Sequence, residues 1–217
     1  LNYNFFERTD TGETEKIPEL LFDKQGRLLL SAQISGIYRI DLKTGIVENF
    51  KVKRGPYRMT FDDKGKLWGA NNDLHFYDLD LKKDFIVNLE PQNTTPSRIF
   101  GVKADARGNL WVALANKIGI MDASQKSIHF IGAAEGLKVN FSFDFTPDAN
   151  DNMWISGPRH EAYFISLKNK KIASLGLEQG YESSGVIDVF TDKKERIWLI
   201  ANDTVHIYDP KLSRLKK

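Results

Sequence analysis

The sequence predicts an all-β fold assembled from repeated four-stranded sheets, and three observations predict it. A turn motif recurs 5 times along the 217 residues: "DKQGRLLLS" from Asp23, "DDKGKLWGA" from Asp62, "DARGNLWVA" from Asp105, "DANDNMWIS" from Asp148 and "DKKERIWLI" from Asp192. The second apolar residue after each turn falls at Leu29, Trp68, Trp111, Trp154 and Trp198, at intervals of 39, 43, 43 and 44 residues, so all 4 tryptophans stand in one column. Between the turns lie short apolar and aromatic runs without helical periodicity, the pattern of strands. Four short strands in a unit of about 40–45 residues make a β-propeller blade.

Each element of the unit follows from its residues. An apolar strand runs into the turn, where Asp and Gly permit the reversal. The second strand carries the anchor, and an aromatic third strand ends 10 to 12 residues beyond it, at Asp41, Asp78, Asp122, Ser166 and Asp209. A second turn ("DLKTG", "DLKKD", "DPKLS") and a short fourth strand complete the unit. The units span 16–53, 54–93, 94–137, 138–180 and 181–217 of a single propeller domain or segment, with 1–15 an outer strand able to complete another blade. Such a sheet cannot bury both faces alone and must stack on its neighbours. Leu29, Trp68, Trp111, Trp154 and Trp198 therefore read as structural wedges between sheets. Leu29 is the smallest of them, and the first unit is expected to be looser or terminal. Two closures stay open: a closed five-bladed ring, or an arc of a larger propeller. In the first, "LNYNFFER" would pair with the last unit, whose own fourth strand "RLKK" is short, and so remove exposed edges.

Bulk composition excludes several classes. With 31 basic against 29 acidic residues, the net charge of +2 predicts no nucleic-acid partner. The absence of cysteine rules out disulfides and thiolate metal sites. No stretch approaches the roughly 18 apolar residues of a membrane span. A chain beginning "LNYNFFER" reads as a processed protein or a domain of something longer.

The form Asp-x-x-Gly-x-Leu-Trp-Val/Ile, a small residue, then an aromatic strand ending in Asp resembles the two-component regulator propeller repeat, most clearly through "DARGNLWVA" and "DKKERIWLI". The chain departs from that repeat after the Trp strand, with "GAN", "VAL", "ISG" and "LIA" in place of Gly-Thr. Streptogramin lyase-like and gluconolactonase-like propellers share a similar turn. The resemblance implies the extracytoplasmic sensor part of a larger hybrid histidine kinase or related exported protein. Such a part would be periplasmic or extracellular and non-catalytic, and would recognise a carbohydrate or other small polar ligand. Further domains of a longer chain would be its partners, with a homodimer left open. The alternative is a propeller hydrolase or lyase with an axial site.

The candidate chemistry lies on the inner strands. Nine residues before each anchor stand Leu20, Met59, Val102, Phe145 and Val189, all apolar. Ten before stand Glu19, Arg58, Gly101, Asp144 and Asp188, mostly charged. Buried charges are costly unless paired or solvated, so this column is expected to reach channel water, to pair internally, or to hold a cation or a ligand's polar groups. The loops leading to the inner strands add Arg54, Tyr57, Arg98, Asn140 and Tyr181, planar or aromatic groups suited to sugar or peptide recognition, although loops are polar in most proteins. Arg159 and His160 follow the fourth Trp strand. An enzyme would draw on Glu19, Asp144, Asp188 and His160 as acid–base groups. No cofactor is expected. "DANDN" starts like a calcium loop but lacks the glycine and final carboxylate that loop needs. His75 and His206 have no third metal ligand near them in sequence.

Overall fold

A computed structural model describes residues 15–89, 98–125, 127–137, 144–150, 152–156, 162–169, 171–175, 180–181, 186, 188–201, 204–212 and 214–216. Twenty strands form five antiparallel four-stranded sheets, each a meander in chain order. The first blade is β1 (Glu19–Phe22), β2 (Leu28–Ala32), β3 (Gly36–Ile40) and β4 (Val47–Phe50). The second is β5 (Arg58–Phe61), β6 (Leu67–Ala70), β7 (Leu74–Asp78) and β8 (Lys83–Val87). The third is β9 (Ile99–Ala104), β10 (Leu110–Leu114), β11 (Ile118–Met121) and β12 (Ile128–Ile131). The fourth is β13 (Phe145–Pro147), β14 (Asn152–Ile155), β15 (Ala162–Ser166) and β16 (Lys171–Leu175). The fifth is β17 (Asp188–Thr191), β18 (Ile197–Ile200), β19 (Val205–Asp209) and β20 (Arg214–Lys216). One 3₁₀ turn, Ala133–Glu135, is the only helical element among the described residues. The segment "LNYNFFER" lies outside them.

The blades stand in a ring with their first strands innermost: β1 lies beside β5, β5 beside β9, β9 beside β13, and β13 beside β17. This is the β-propeller that the repeat predicts. Its core is distributed between blades, because each sheet has two faces to cover. Leu29, Ile37 and Phe50 of the first blade pack on Met59, Leu67 and Tyr77 of the second. Trp68, Ala70 and Leu74 meet Val102, Leu110 and Val112. Trp111 and Ile118 meet Phe145, Met153 and Tyr163. Trp154 and Leu175 meet Val189, Ile197 and Leu199.

The recurring turn has a common chemistry. One oxygen of Asp23, Asp105, Asp148 and Asp192 accepts the backbone N–H groups two and four residues on, and Asp62 accepts the latter. These bonds hold the reversal in place, as Asx turns do. The other oxygen accepts the indole N–H six residues later: Trp68 to Asp62 at 3.0 Å, Trp111 to Asp105 at 3.0 Å, Trp154 to Asp148 at 2.9 Å and Trp198 to Asp192 at 2.9 Å. A buried indole N–H needs such a partner. Where the anchor is Leu29, Asp23 instead takes the Arg27 guanidinium at 2.7 Å. "DANDN" is thus a hairpin turn, its Asp148 occupied by Asn150, Asn152 and Trp154.

Of the two expectations for the first blade, looser or terminal, the first does not hold: Leu29 is fully buried in a cluster with Phe50, Met59 and Tyr77.

Candidate functional site

Strand alternation sends Leu21 of β1 toward the second blade and places Glu19, the strand's first residue, at the axis end. Arg58 opens β5 and Asp188 opens β17 in the same way, while Asp144 directly precedes β13. The structure brings these four together. The Arg58 Nε lies 3.7 Å from a Glu19 carboxylate oxygen and 3.9 Å from one of Asp144. Arg58 reaches from the second blade to the fourth because the third contributes Gly101 to this column, with no side chain to intervene. All three side chains keep about a quarter of their surface in solvent, at 25% for Glu19 and Arg58 and 23% for Asp144.

The geometry leaves hydrogen-bonding capacity unused. Both carboxylate distances exceed a hydrogen bond, and the Arg58 Nε is buried without a partner. Its Nη1 donates to the Tyr57 carbonyl at 3.1 Å, which fixes the head of the side chain. Asp144 and Asp188 each accept the N–H of the following residue, Phe145 and Val189, at 2.8 Å. The Asp144 N–H donates to Ser156 Oγ at 2.8 Å, tying the loop to the end of β14.

Burial pushes the Asp144 carboxyl up to about 7, helped by its hydrogen bond to the Asp188 side chain and opposed by the Arg58 charge. Two adjoining carboxyls cannot both ionise freely, so one retains its proton. Glu19 is raised too, first by desolvation, against the pull of Arg58 and Lys103, with Asp188 adding to the rise. Lys103, on β9, therefore belongs to the field of this site. Sequence reasoning passed over it. Its signal was a lone cation inside the apolar run "IFGVKA".

The remaining candidates are dispersed. Tyr57 is half-buried beside Arg58, and Arg54 is exposed with its carbonyl accepting Asn71 Nδ2 at 2.8 Å. Arg98 is exposed, its guanidinium 5.1 Å from the Phe100 ring. Tyr181 is not presented at the loop surface: it is 1% exposed, packed in the core between the fourth and fifth blades, its ring 4.7 Å from His206. Asn140, Arg159 and His160 lie outside the described residues. His75 stacks on Tyr77 and stands 3.3 Å from Asp84. Among the described residues no three His, Asp or Glu side chains converge as metal ligands.

A cleft of about 480 Å³ opens between the turns of the first two blades, lined by Lys24, Arg27, Arg39, Lys64 and Lys66 among others. Its cations are already engaged. Arg27 pairs with Asp23 and Arg39 with Glu48, each at 2.7 Å. Lys24 and Lys64 donate to the carbonyls of Asp63 and Ala123, and Lys66 sits 3.7 Å over the Phe76 ring. The axial group, with its unpartnered donor, is the better site.

No family model and no curated protein sequence matches the chain. Solved structures do. The extracellular domain of the putative hybrid two-component system BT4673 from B. thetaiotaomicron superposes with a TM-score of 0.79 at 16% identity, over 96% of this chain and 31% of that one. The corresponding domain of BT3049 gives 0.74 at 15% identity, over 97% and 31%. A catalytically inactive virginiamycin B lyase from Staphylococcus aureus, solved with quinupristin, gives 0.75 at 12% identity, over 95% and 70%. The chain spans about a third of the length of the sensor domains it matches. What it shares with these sensor domains and with the lyase is the fold alone, and the chain is a β-propeller.

Proposed function

We propose that the chain is a non-catalytic sensing propeller, the extracytoplasmic part of a larger signalling protein. It recognises a small polar ligand, such as a carbohydrate fragment, at the axial group of Glu19, Arg58, Asp144 and Asp188. The observation that carries this reading is the buried Arg58 Nε, set between two carboxylates at distances too long for either to satisfy it. A hydroxyl placed there would accept from Arg58 and donate to a carboxylate at once. The fold likeness to extracellular domains of two-component systems supports the setting. A panel of oligosaccharide fragments should include one that raises the melting temperature, with the rise abolished by Arg58→Ala. A rise that survives Arg58→Ala would move recognition off the axis.

One observation favours a second reading. A carboxyl poised near neutrality is what acid–base catalysis requires, and Asp144 is such a group. A propeller lyase or hydrolase would turn over a lactone or glycan substrate and lose that turnover in Asp144→Asn. Binding without turnover assigns the site to sensing.

A further inference from the structure

Each blade of the ring has two unlike faces. One presents the anchor of its second strand, and the other presents the apolar residue that stands nine positions before it. In four seams unlike faces meet and exclude water. The inner residues there are Met59 at 4%, Val102 at 3%, Phe145 at 1% and Val189 at 2% exposure. The indoles opposite three of these residues, Trp68, Trp111 and Trp154, are exposed by 2% or less.

The seam between the fifth and first blades departs from this pattern at every equivalent position. Leu20, the counterpart of those four residues, is 56% exposed, and Phe22 beside it is 61% exposed. Across the seam Phe190 is 43% exposed and stacks on a partly exposed Trp198 at 5.6 Å, with Val205 at 42%. No apolar cluster of described residues joins the two blades. Nor does β17 pack on β1 as the other successive inner strands pack on one another. Large apolar side chains left exposed on both walls of one seam mark an interaction surface.

We propose that this seam is the docking edge for further propeller structure: a four-stranded blade of the same repeat. Its inner strand would place a valine- or phenylalanine-sized residue on Trp198 and Phe190. The blade that meets the first one would offer a carboxylate-capped tryptophan to Leu20 and Phe22. The occupant follows from continuity with the four sealed seams, since Leu20 holds the place of the buried Met59, Val102, Phe145 and Val189, and Trp198 holds the place of the buried Trp68, Trp111 and Trp154. Within the fold class, the solved chains that this one overlays extend well beyond it, since it covers 31% of the sensor domain and 70% of the lyase. A blade supplied by the same polypeptide closes the edge. A second copy adding head to tail would generate an open chain of subunits.

Three measurements test this on the chain itself. Leu20→Glu should leave the melting temperature within a degree or two of the parent, while Met59→Glu, its counterpart in a sealed seam, lowers it steeply. Equal losses would show that Leu20 is already covered and overturn the proposal. The chain has 0 cysteines, so Leu20→Cys with Phe190→Cys reports on self-closure directly. Failure to cross-link within the monomer is expected, and a ready intramolecular disulfide overturns the proposal. Finally, a second copy of 181–217 appended after Lys217 should raise the melting temperature and shift Trp198 emission to the blue. Val189→Asp in the appended copy should cancel both. No gain from the unmodified copy overturns the proposal, as does concentration-dependent dimerisation of the parent that Leu20→Glu abolishes.

Discussion

At the scale of single residues, the turn aspartates and the axial carboxylates show one side chain type in two roles. Asp62 and Asp148 are almost wholly buried, yet the oxygens of each accept from the backbone and from an indole N–H, so a buried carboxyl is satisfied by donors that the turn itself supplies. Asp144 has fewer donors and a carboxyl neighbour, and burial raises it to about 7 instead. Stability follows with a definite sign. Because the folded state raises this carboxyl from 3.8 to about 7, it binds up to roughly one proton more than the unfolded chain between those values. Its contribution is fully present below the lower value and is lost as pH climbs through the upper. Asp144→Asn should flatten the stability profile between about pH 4 and pH 7 and exceed the parent at pH 8, in urea unfolding across that range. An unchanged slope would mean that the proton sits elsewhere. The axial column of Glu19, Arg58, Asp144 and Asp188 was legible in sequence, because charges stood at one offset inside apolar strands. The sharing of a hydrogen bond by Asp144 and Asp188 was not, since nothing local to either residue encodes the approach of the other.

Elements are set by turns as much as by strands. Three of the five first turns place glycine at the left-handed position, Gly26 at φ 77°, Gly65 at φ 81° and Gly108 at φ 80°. In the fifth blade Glu195 occupies that position at φ 64°, where a side chain costs about 1–2 kcal/mol. Its ion pair with Lys211 at 2.7 Å is exposed and offsets little of that. Glu195→Gly should therefore stabilise the chain by about 0.5–1 kcal/mol, after the extra entropy glycine loses on folding. Chemical denaturation of the two proteins decides it, and a loss of stability would show that the ion pair outweighs the strain. Strand existence was legible throughout, because each turn carries its own Asp signature. The second role of that Asp, as acceptor for the indole six residues on, was visible only once the hairpin brought both ends of the motif together.

At the scale of the whole molecule, equivalent residues stop being equivalent. Trp154 and Trp198 hold the same place in their repeats and the same bond to an aspartate. Trp154 is 1% exposed between two blades, while Trp198 faces the open seam. Trp154→Ala should cost roughly 3–5 kcal/mol, and Trp198→Ala less than half of that in the chain as it stands, since much of the second indole is already in water. Similar losses in urea titrations would mean that the fifth seam is as tight as the fourth. Sequence by itself determined the β class, the five units, the wedge column and the polar column, because strand, turn and anchor are written within some forty residues of one another. Only the tertiary structure decided which seams exclude water and which charges meet. Arg58 and Asp144 come from blades two apart, and Leu20 and Trp198 from opposite ends of the repeat array. Whether residues so far apart in the chain meet depends on the angle at which successive sheets turn about the axis, which no single repeat records.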